Sequence, residues 1–311
     1  MKTHAGTIRD TASTASASEW DPVARRRAFL LLCLWPTLIV LLLVLVYPLF
    51  YNVLLSFSDA NIYRISDWKL TGPRQYLLVF QEPAFWITFS RTVAWTVLCT
   101  SAQVIIGVAL ALLLHQDFLR GRSAWRLLLL LPWALPQYIT ALTWRGMFAG
   151  EYGAVNSFLA TFGIPALDWL NTPSAAFIAM VLVNIWMGFP FMMVVALTGL
   201  QAIPEAVYEA ARLDGASRWR QFTRLTLPLL RPVMLPATTL GIVWNFNSLN
   251  VVWLFSAGGE PADTTHILAS YVYKTAFTYY RFGWSAALSV VIFVMLFLAV
   301  QGFLHMARKP R

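Results

Sequence analysis

The sequence predicts an all-α membrane protein with six transmembrane helices. Of its 311 residues, 59% are hydrophobic and 12% are charged, which is about half the charged fraction of a soluble domain. The apolar residues form long runs, each near the ~20 residues that a helix needs to cross a bilayer. Barrel strands would instead show ~10-residue segments of alternating polarity. A soluble enzyme, a secreted disulfide scaffold and a disordered chain are therefore excluded. We place the spans at about residues 29–57, 88–114, 124–148, 174–200, 230–257 and 282–306.

The segments outside the spans are short, and their charges predict the orientation of the chain. Residues 1–28 are rich in Ala, Ser and Thr at their start, and we interpret them as a flexible cytoplasmic tail; residues 307–311 form a second cytoplasmic tail. With both termini in the cytoplasm, the whole formal net charge of +9 falls on the inner side, as the positive-inside rule requires. The basic composition thus reports membrane orientation and argues against a nucleic-acid partner.

The sequence lacks the motifs of several catalytic and energy-coupling sites. No Lys follows a Gly in a G-K-[ST] phosphate loop, the four His form no H-E-x-x-H pair, and no G-x-S-x-G elbow occurs. Cys33 and Cys99 have no Cys or His nearby, so neither a disulfide nor a metal site is predicted. The strict intramembrane stretches hold no acid or base, which disfavours an ion-coupled carrier. We expect no catalytic residue, no metal and no cofactor. Three interpretations remain: a passive pore, a scaffold, or the membrane subunit of a transporter powered by another chain.

Neutral polar and aromatic side chains lie at depth in the third, fourth and fifth predicted spans. They are Gln137, Thr140, Thr143, Asn184, Asn245, Asn247, Ser248 and Asn250, interleaved with Trp133, Trp144, Trp186 and Trp244. Amides satisfy hydroxyl groups in both donor and acceptor roles, and an indole packs on the apolar face of a sugar ring. The same polar residues also join membrane helices to one another. Helix-breaking residues in these spans predict irregular helix beside a cavity; they are Pro132, Pro136, Gly188, Pro190, Pro232 and Pro236.

The inner loop at residues 201–228 is predicted to form two short helices. Pro204 suits the first turn of a helix, and Gly215 supplies the left-handed residue that ends it. Ser217 suits the cap of the next helix, which Pro228 is expected to end before the chain re-enters the membrane. Periodicity alone leaves two interpretations, a knob gripped by another protein or an amphipathic connector at the interface.

The residues of this loop resemble a motif of ABC importer permeases. Glu209-Ala210-Ala211, Gly215 and the Leu225-x-Leu227-Pro228 stretch follow the spacing E-A-A-x3-G-x9-I-x-L-P, with Leu225 in place of the usual Ile. The resemblance implies the type I ABC importer permease fold. It also implies that the loop is a coupling helix, which docks on an ATP-binding subunit. Glu209 would make the polar contact and Gly215 would allow the turn. The implied contact surface comprises Glu209, Ala210, Ala211, Asp214 and Gly215.

The resemblance extends from about Arg26 to the C-terminus and is nearest to carbohydrate-uptake permeases of the maltose-transporter type. The short segment between Phe57 and Glu82 matches a compact six-span form. Sugar contacts are implied for Trp133, Gln137, Gly188, Asn245 and Ser248, whereas Gly241 departs from the Ser of that family. The implied partners are a second homologous permease, a dimer of ATP-binding subunits, an extracytoplasmic solute-binding protein and a neutral sugar such as a maltodextrin or trehalose. The implied location is a bacterial inner membrane.

Two alternatives stay open at this point. A permease of the same family could carry a polyol or a glycerol phosphodiester, which a test of solute charge would reveal. A self-sufficient channel or facilitator would also have a charge-free interior. It would transport without ATP, and a Glu209→Ala change would leave that transport intact.

Overall fold

The computed structural model of the protein describes residues 22–116, 118–150 and 152–308. Two units are distinguished, residues 1–52 and 53–311, and each is described by itself. The α-helices of the described residues are α1 (Pro22–Leu41), α2 (Tyr47–Ser56), α3 (Arg74–Gln81), α4 (Pro83–His115), α5 (Arg122–Ala134), α6 (Gln137–Met147), α7 (Ala154–Ala160), α8 (Pro173–Gln201), α9 (Glu205–Leu213), α10 (Arg218–Gln221), α11 (Leu227–Phe246), α12 (Leu249–Phe255), α13 (Leu268–Phe277) and α14 (Phe282–Arg308).

The first helix begins inside the segment predicted as the N-terminal tail, whereas the stretch apolar enough to cross a membrane is Phe29–Ser56. Helix α1 starts at Pro22, inside the segment assigned to the N-terminal tail, and a π-helical stretch at Leu42–Val46 joins it to α2. Pro is favoured in the first turn of a helix, and the three arginines that follow are good helix formers. The rest of the predicted tail, residues 1–21, lies outside the described residues, as do residues 309–311.

The second unit is organised around the long helices α4, α8 and α11, which pack against one another. Helices α4 and α8 approach most closely at Gly107. A Cβ atom there would lie 2.6 Å from the Cβ of Met192 and 2.8 Å from the backbone nitrogen of Met193. Small residues allow this backbone proximity between membrane helices. Helix α14 packs on α11 and α13, α5 on α8, and α12 on α6.

The third predicted span is bent instead of straight. Within the described residues, five helical stretches are long and apolar enough to cross a membrane. Helices α5 and α6 make a sixth if this pair, bent by 92°, counts as one span. Leu135, between the two helices, has extended backbone angles of −80° and 140°. A residue before proline avoids the helical region, and Pro136 follows. The break therefore comes from the proline that the sequence singled out.

The other intramembrane prolines do not break their helices, so that expectation is wrong for the fourth and fifth spans. Helix α8 continues through Pro190, and α11 continues through Pro232 and Pro236. Membrane helices tolerate proline because neighbouring helices can hydrogen-bond to the backbone carbonyl groups that proline leaves without a partner. The fifth span is interrupted instead at Asn247 and Ser248, between α11 and α12.

Pro228 also behaves differently from the sequence-based expectation. Helix α10, a π-helical stretch at Phe222–Thr226 and α11 form one continuous helical run. Pro228 lies inside this run, at the second residue of α11 and directly after the π-helical stretch, and the helix continues through it. The inner loop therefore continues directly into the fifth span without a stop.

Candidate functional site

A cavity of about 430 Å³ lies beside the bend of the third span and the interruption of the fifth. All five residues predicted to contact a solute line it, namely Trp133, Gln137, Gly188, Asn245 and Ser248. The remaining lining residues are Gln103, Asn184, Met187, Phe191, Met192, Gly241, Trp244, Asn247, Leu249 and Asn250. Among these described residues there is no acid, base or histidine, so the lining is neutral.

Aromatic rings form one wall of the cavity. Trp133 lies against Phe191 with ring centroids 6.0 Å apart, and Phe191 meets the ring of Trp244 edge-on at 5.0 Å. Both tryptophans stay about half exposed, at 55% for Trp133 and 52% for Trp244. The wall therefore offers indole surface to a ligand, as an apolar sugar face requires.

A network of carboxamides lies at the same cavity and is centred on Asn245. The Nδ2 of Asn245 donates to the hydroxyl of Thr100 at 2.8 Å and to the Oε1 of Gln103 at 2.9 Å. Its Oδ1 accepts from the Nδ2 of Asn184 at 2.7 Å. Asn245 is only 5% exposed. Since both amide hydrogens are engaged, Asn245 in this state joins α4, α8 and α11 more directly than it offers itself to a solute.

Gln137 and Ser248 are positioned by the two interruptions of the spans. Gln137 is the first residue of α6, immediately after the bend, and its side chain is exposed. Ser248 lies in the interruption between α11 and α12, and its hydroxyl is 3.5 Å from the Oδ1 of Asn184. The broken helices thus place hydrogen-bonding side chains at the cavity.

As far as Ser217, the inner loop has the local structure that its sequence predicts. Helix α9 ends in a left-handed Gly215 with φ of +72°. The N–H of Gly215 donates to Arg212 O at 3.1 Å, and the N–H of Ala216 donates to Ala211 O at 2.9 Å. These two bonds define a Schellman motif. Ser217 caps α10 by accepting a hydrogen bond from the backbone of Arg220.

The outer surface of α9 is available for contact in this chain. Glu209, Ala210, Asp214 and Gly215 are exposed, and Ala211 is partly buried. Leu213, at the end of the helix, is 90% exposed. The five residues implied as the coupling surface lie at the end of α9 and in the turn that follows it, and four of them are exposed.

Helix α9 is also tied to the start of the fifth span. The hydroxyl of Tyr208 lies 3.0 Å from the Oγ1 of Thr226. Thr226 ends the π-helical stretch that runs directly into α11. One hydrogen bond thus links the exposed loop to the helix that carries Asn245.

A second polar cluster lies between the fifth and sixth spans, away from the cavity. His266 is 1% exposed, and its Nδ1 lies 3.0 Å from Ser270 Oγ. Its Nε2 is 3.5 Å from the Asp263 carboxylate, which also pairs with Lys274. Burial lowers the pKa of His266 to about 4; Lys274 adds to the effect and Asp263 opposes it. The imidazole is therefore neutral near pH 7. Gly259 packs against this ring, because a Cβ there would lie 2.1 Å from Nε2.

Residues 103–309 match the protein family described as "Binding-protein-dependent transport system inner membrane component". The chain belongs to this family. The permease is 34% identical over 283 residues to the trehalose/maltose transport system permease protein MalF of Thermococcus litoralis, an alignment that covers 90% of this chain and 94% of the relative. It is also 34% identical over 274 residues to the galactooligosaccharides transport system permease protein GanP of Bacillus subtilis, covering 83% of this chain and 65% of that longer relative.

The fold of the permease matches a solved transporter. The crystal structure of a bacterial ABC transporter involved in the import of the acidic polysaccharide alginate contains a chain that superposes with a TM-score of 0.79, at 24% identity. The match covers 91% of the permease and 96% of that chain. The predicted family and the type I ABC importer permease fold are thereby confirmed. The permease is an inner membrane component of an ABC transport system and not an enzyme.

The sequence analysis did not select two residues that organise the permease site. Gln103 connects the network, and it lies on the same face of α4 as Thr92, Thr96 and Thr100, all buried. Their spacing of three or four residues is a helical periodicity that reveals this polar face. Tyr208 gave no such signal, because its partner Thr226 is 18 positions away.

Proposed function

We propose that this permease carries a neutral saccharide across the bacterial inner membrane as one subunit of an ATP-driven importer. The observation that carries the proposal is the uncharged cavity, with indole rings on one wall and carboxamides and a hydroxyl beside them. Its volume lies in the range of small-molecule sites, about 300–1,000 Å³.

Solute charge is the property that this cavity selects most strongly. An anionic sugar would lose its hydration on entry, and none of the described lining residues carries a charge to compensate for that cost. A neutral sugar needs hydrogen bonds to its hydroxyls and apolar surface for its ring, and both are supplied. The names of the two curated relatives, which include trehalose, maltose and galactooligosaccharides, support an uncharged oligosaccharide of this kind.

The inner loop supports coupling to a separate ATPase. Glu209 and its exposed neighbours would dock on the ATP-binding subunit, and closure of the ATPase dimer would pull on α9. The Tyr208–Thr226 hydrogen bond would pass the movement to α11. From Thr226 to Asn245 this helical path is about 29 Å long, at 1.5 Å per residue. The cavity would then open alternately to the two sides of the membrane.

The proposed assembly contains two permeases, a dimer of ATP-binding subunits and an extracytoplasmic solute-binding protein. The second permease would be a homologue of this chain. Both termini and α9 would face the cytoplasm, since this orientation puts the whole net charge of +9 on the inner side. The segments at residues 59–82 and 257–281 would then face the solute-binding protein.

The proposal is tested by purifying the tagged chain from its native membrane and identifying the proteins that accompany it. We expect a phosphate-loop ATPase and a second permease. In cells, uptake of labelled maltotriose or trehalose should depend on ATP, and a uronic-acid oligosaccharide of the same length should not compete. Recovery of the chain alone, with uptake insensitive to ATP depletion, would instead establish a channel.

A matched pair of variants tests the coupling role of α9. Glu209→Gln should abolish uptake. Glu205→Gln removes the same charge from the same helix, but from an internal ion pair with Arg212, and exposed pairs of this kind contribute less than about 1 kcal/mol. It should therefore retain most of the transport. Equal losses in the two variants would contradict a specific contact at Glu209.

A further inference from the structure

A buried glutamine on the second span connects three of the helices that line the cavity, α4, α8 and α11. Gln103 is 4% exposed. Its Nε2 donates to the backbone carbonyl of Asn184 at 2.9 Å, and its Oε1 accepts from the Nδ2 of Asn245 at 2.9 Å. The same Nε2 lies 3.5 Å from Asn245 Oδ1. A single side chain of α4 thus holds one residue of α8 and one of α11.

Gly188 is the residue that makes room for this glutamine. A Cβ atom on Gly188 would lie 2.1 Å from the Nε2 of Gln103 and 2.5 Å from its Cδ. Side-chain atoms never approach so closely, so any larger residue at position 188 displaces the amide. The atoms concerned are held by hydrogen bonds on both sides, so displacement of the amide also loses those bonds.

The network determines which polar groups remain for a solute. Both amide hydrogens of Asn245 are donated within the network, to Thr100 and Gln103. Asn184 donates one amide hydrogen to Asn245, and its side chain also contacts the thiol of Cys99. Ser248 donates toward Asn184 at 3.5 Å and keeps its oxygen as an acceptor. The orientation of the Asn184 amide at the cavity therefore depends on Asn245, and that of Asn245 depends on Gln103.

We propose that Gln103 is a positioning residue of the substrate cavity, and that Gly188 contributes to substrate affinity by admitting the Gln103 amide. The sequence resemblance assigned Gly188 a contact with the sugar. The overlap with Gln103 gives it another role, in which its effect on the sugar passes through a second residue. This proposal rests on the proposed function, because its main readout is saccharide uptake.

The test is a double-mutant cycle between positions 188 and 103. Gly188→Ala should raise the KM for maltotriose or trehalose uptake about tenfold, within the usual range of coupling between contacting residues, with less effect on the maximal rate per inserted protein. Gln103→Ala should raise the KM by a similar factor. In the double variant the Gln103 amide is absent, so the methyl group added at position 188 has nothing to displace. The KM of the double variant should therefore match that of Gln103→Ala alone within about twofold.

Gly241→Ala is the matched control, because Gly241 lines the same cavity. Its Cβ would lie 2.4 Å from the Cε of Met192, the flexible end of a long side chain. Its effect on KM should be the same with Gln103 present or replaced. If the KM changes of Gly188→Ala and Gln103→Ala multiply in the double variant, Gly188 acts independently of Gln103 and the proposal is wrong. An unchanged KM in Gln103→Ala would also overturn it.

Two further results keep the test decisive. If Gly188→Ala fails to accumulate in the membrane, recovery of insertion in the double variant supports the proposal, and failure of both variants contradicts it. If the wild type imports no saccharide, the proposed function fails by that measurement alone. Thermal unfolding of the four purified complexes then tests the pair separately, with non-additive shifts expected and additive shifts opposing the proposal.

Discussion

The left-handed turn at Gly215 provides a quantitative test of the coupling loop. Gly215 has φ of +72°, and a Cβ there would meet nothing within 4 Å. Substitution therefore adds backbone strain without a steric clash. A non-glycine residue in this region costs about 1–2 kcal/mol, which lowers the population of the turn by a factor of about 5–30. A β-branched residue is still less compatible with positive φ.

We expect Gly215→Ala to reduce ATP-dependent uptake by about that factor and Gly215→Val to abolish it, with normal amounts of inserted protein. Gly215→Asn should retain most of the activity, because Asn tolerates the left-handed region. The assay is initial uptake of labelled maltotriose or trehalose in cells, normalised to the membrane content of the chain.

Gly121 is a matched control on a different inner loop. It also has φ of +72°, and a Cβ there would also meet nothing within 4 Å. Gly121→Val imposes similar strain before α5, away from α9, and should reduce uptake much less. Wild-type uptake by Gly215→Val would refute the reasoning, as would equal losses at the two positions.

Three further predictions concern packing, coupling and pH. Gly107→Ala should lower the melting temperature of the purified complex, because the new Cβ would lie 2.6 Å from Met192 Cβ and overpacking costs about 1–3 kcal/mol. Gly302→Ala is the control and should leave the melting temperature unchanged, because nothing lies within 4 Å of its Cβ. Equal shifts in the two variants would contradict the close helix contact. Tyr208→Phe should slow uptake without reducing insertion, since it removes a hydrogen bond of about 0.5–1.5 kcal/mol between α9 and the fifth span; unaltered uptake would show that the bond carries no coupling. Burial lowers the pKa of His266 to about 4, so the complex should become less stable as the pH falls from about 6.5 to 4, because the unfolded chain takes up the proton first. The difference between the melting temperatures at pH 7.5 and pH 4.5 should be smaller in His266→Gln than in the wild type. An equal difference would exclude the histidine as a cause.

Hydropathy alone predicted the helical membrane fold, because long apolar runs have few alternatives in a bilayer. Local chemistry also gave the end of α9 and the cap at Ser217, since both depend on residues within one turn. The bend at Pro136 followed from a rule about the preceding residue. The continuity of α8 through Pro190 did not, because it depends on neighbouring helices that sequence reading cannot supply.

The five residues predicted to contact a solute all line the cavity, but the contacts that hold the polar ones were not predictable. A neutral lining followed from the absence of charge in the spans. The engagement of Asn245 depends on Gln103, which is 142 positions away in the chain. Such pairs depend on how α4 packs against α11, and this packing cannot be predicted from a single sequence. For the same reason, the sequence could not reveal that a Cβ on Gly188 would overlap the Gln103 amide.

The close contact of α4 and α8 at Gly107 restricts how the permease can change shape. Helices whose backbones touch, and which are also bonded at the Gln103–Asn184 pair, cannot slide past each other without losing both contacts. We therefore expect these two helices to move together as a rigid body. We expect the hinges at the two interruptions of the helices, Leu135–Pro136 and Asn247–Ser248. Both hinges adjoin the cavity, so a change in either one alters the site directly.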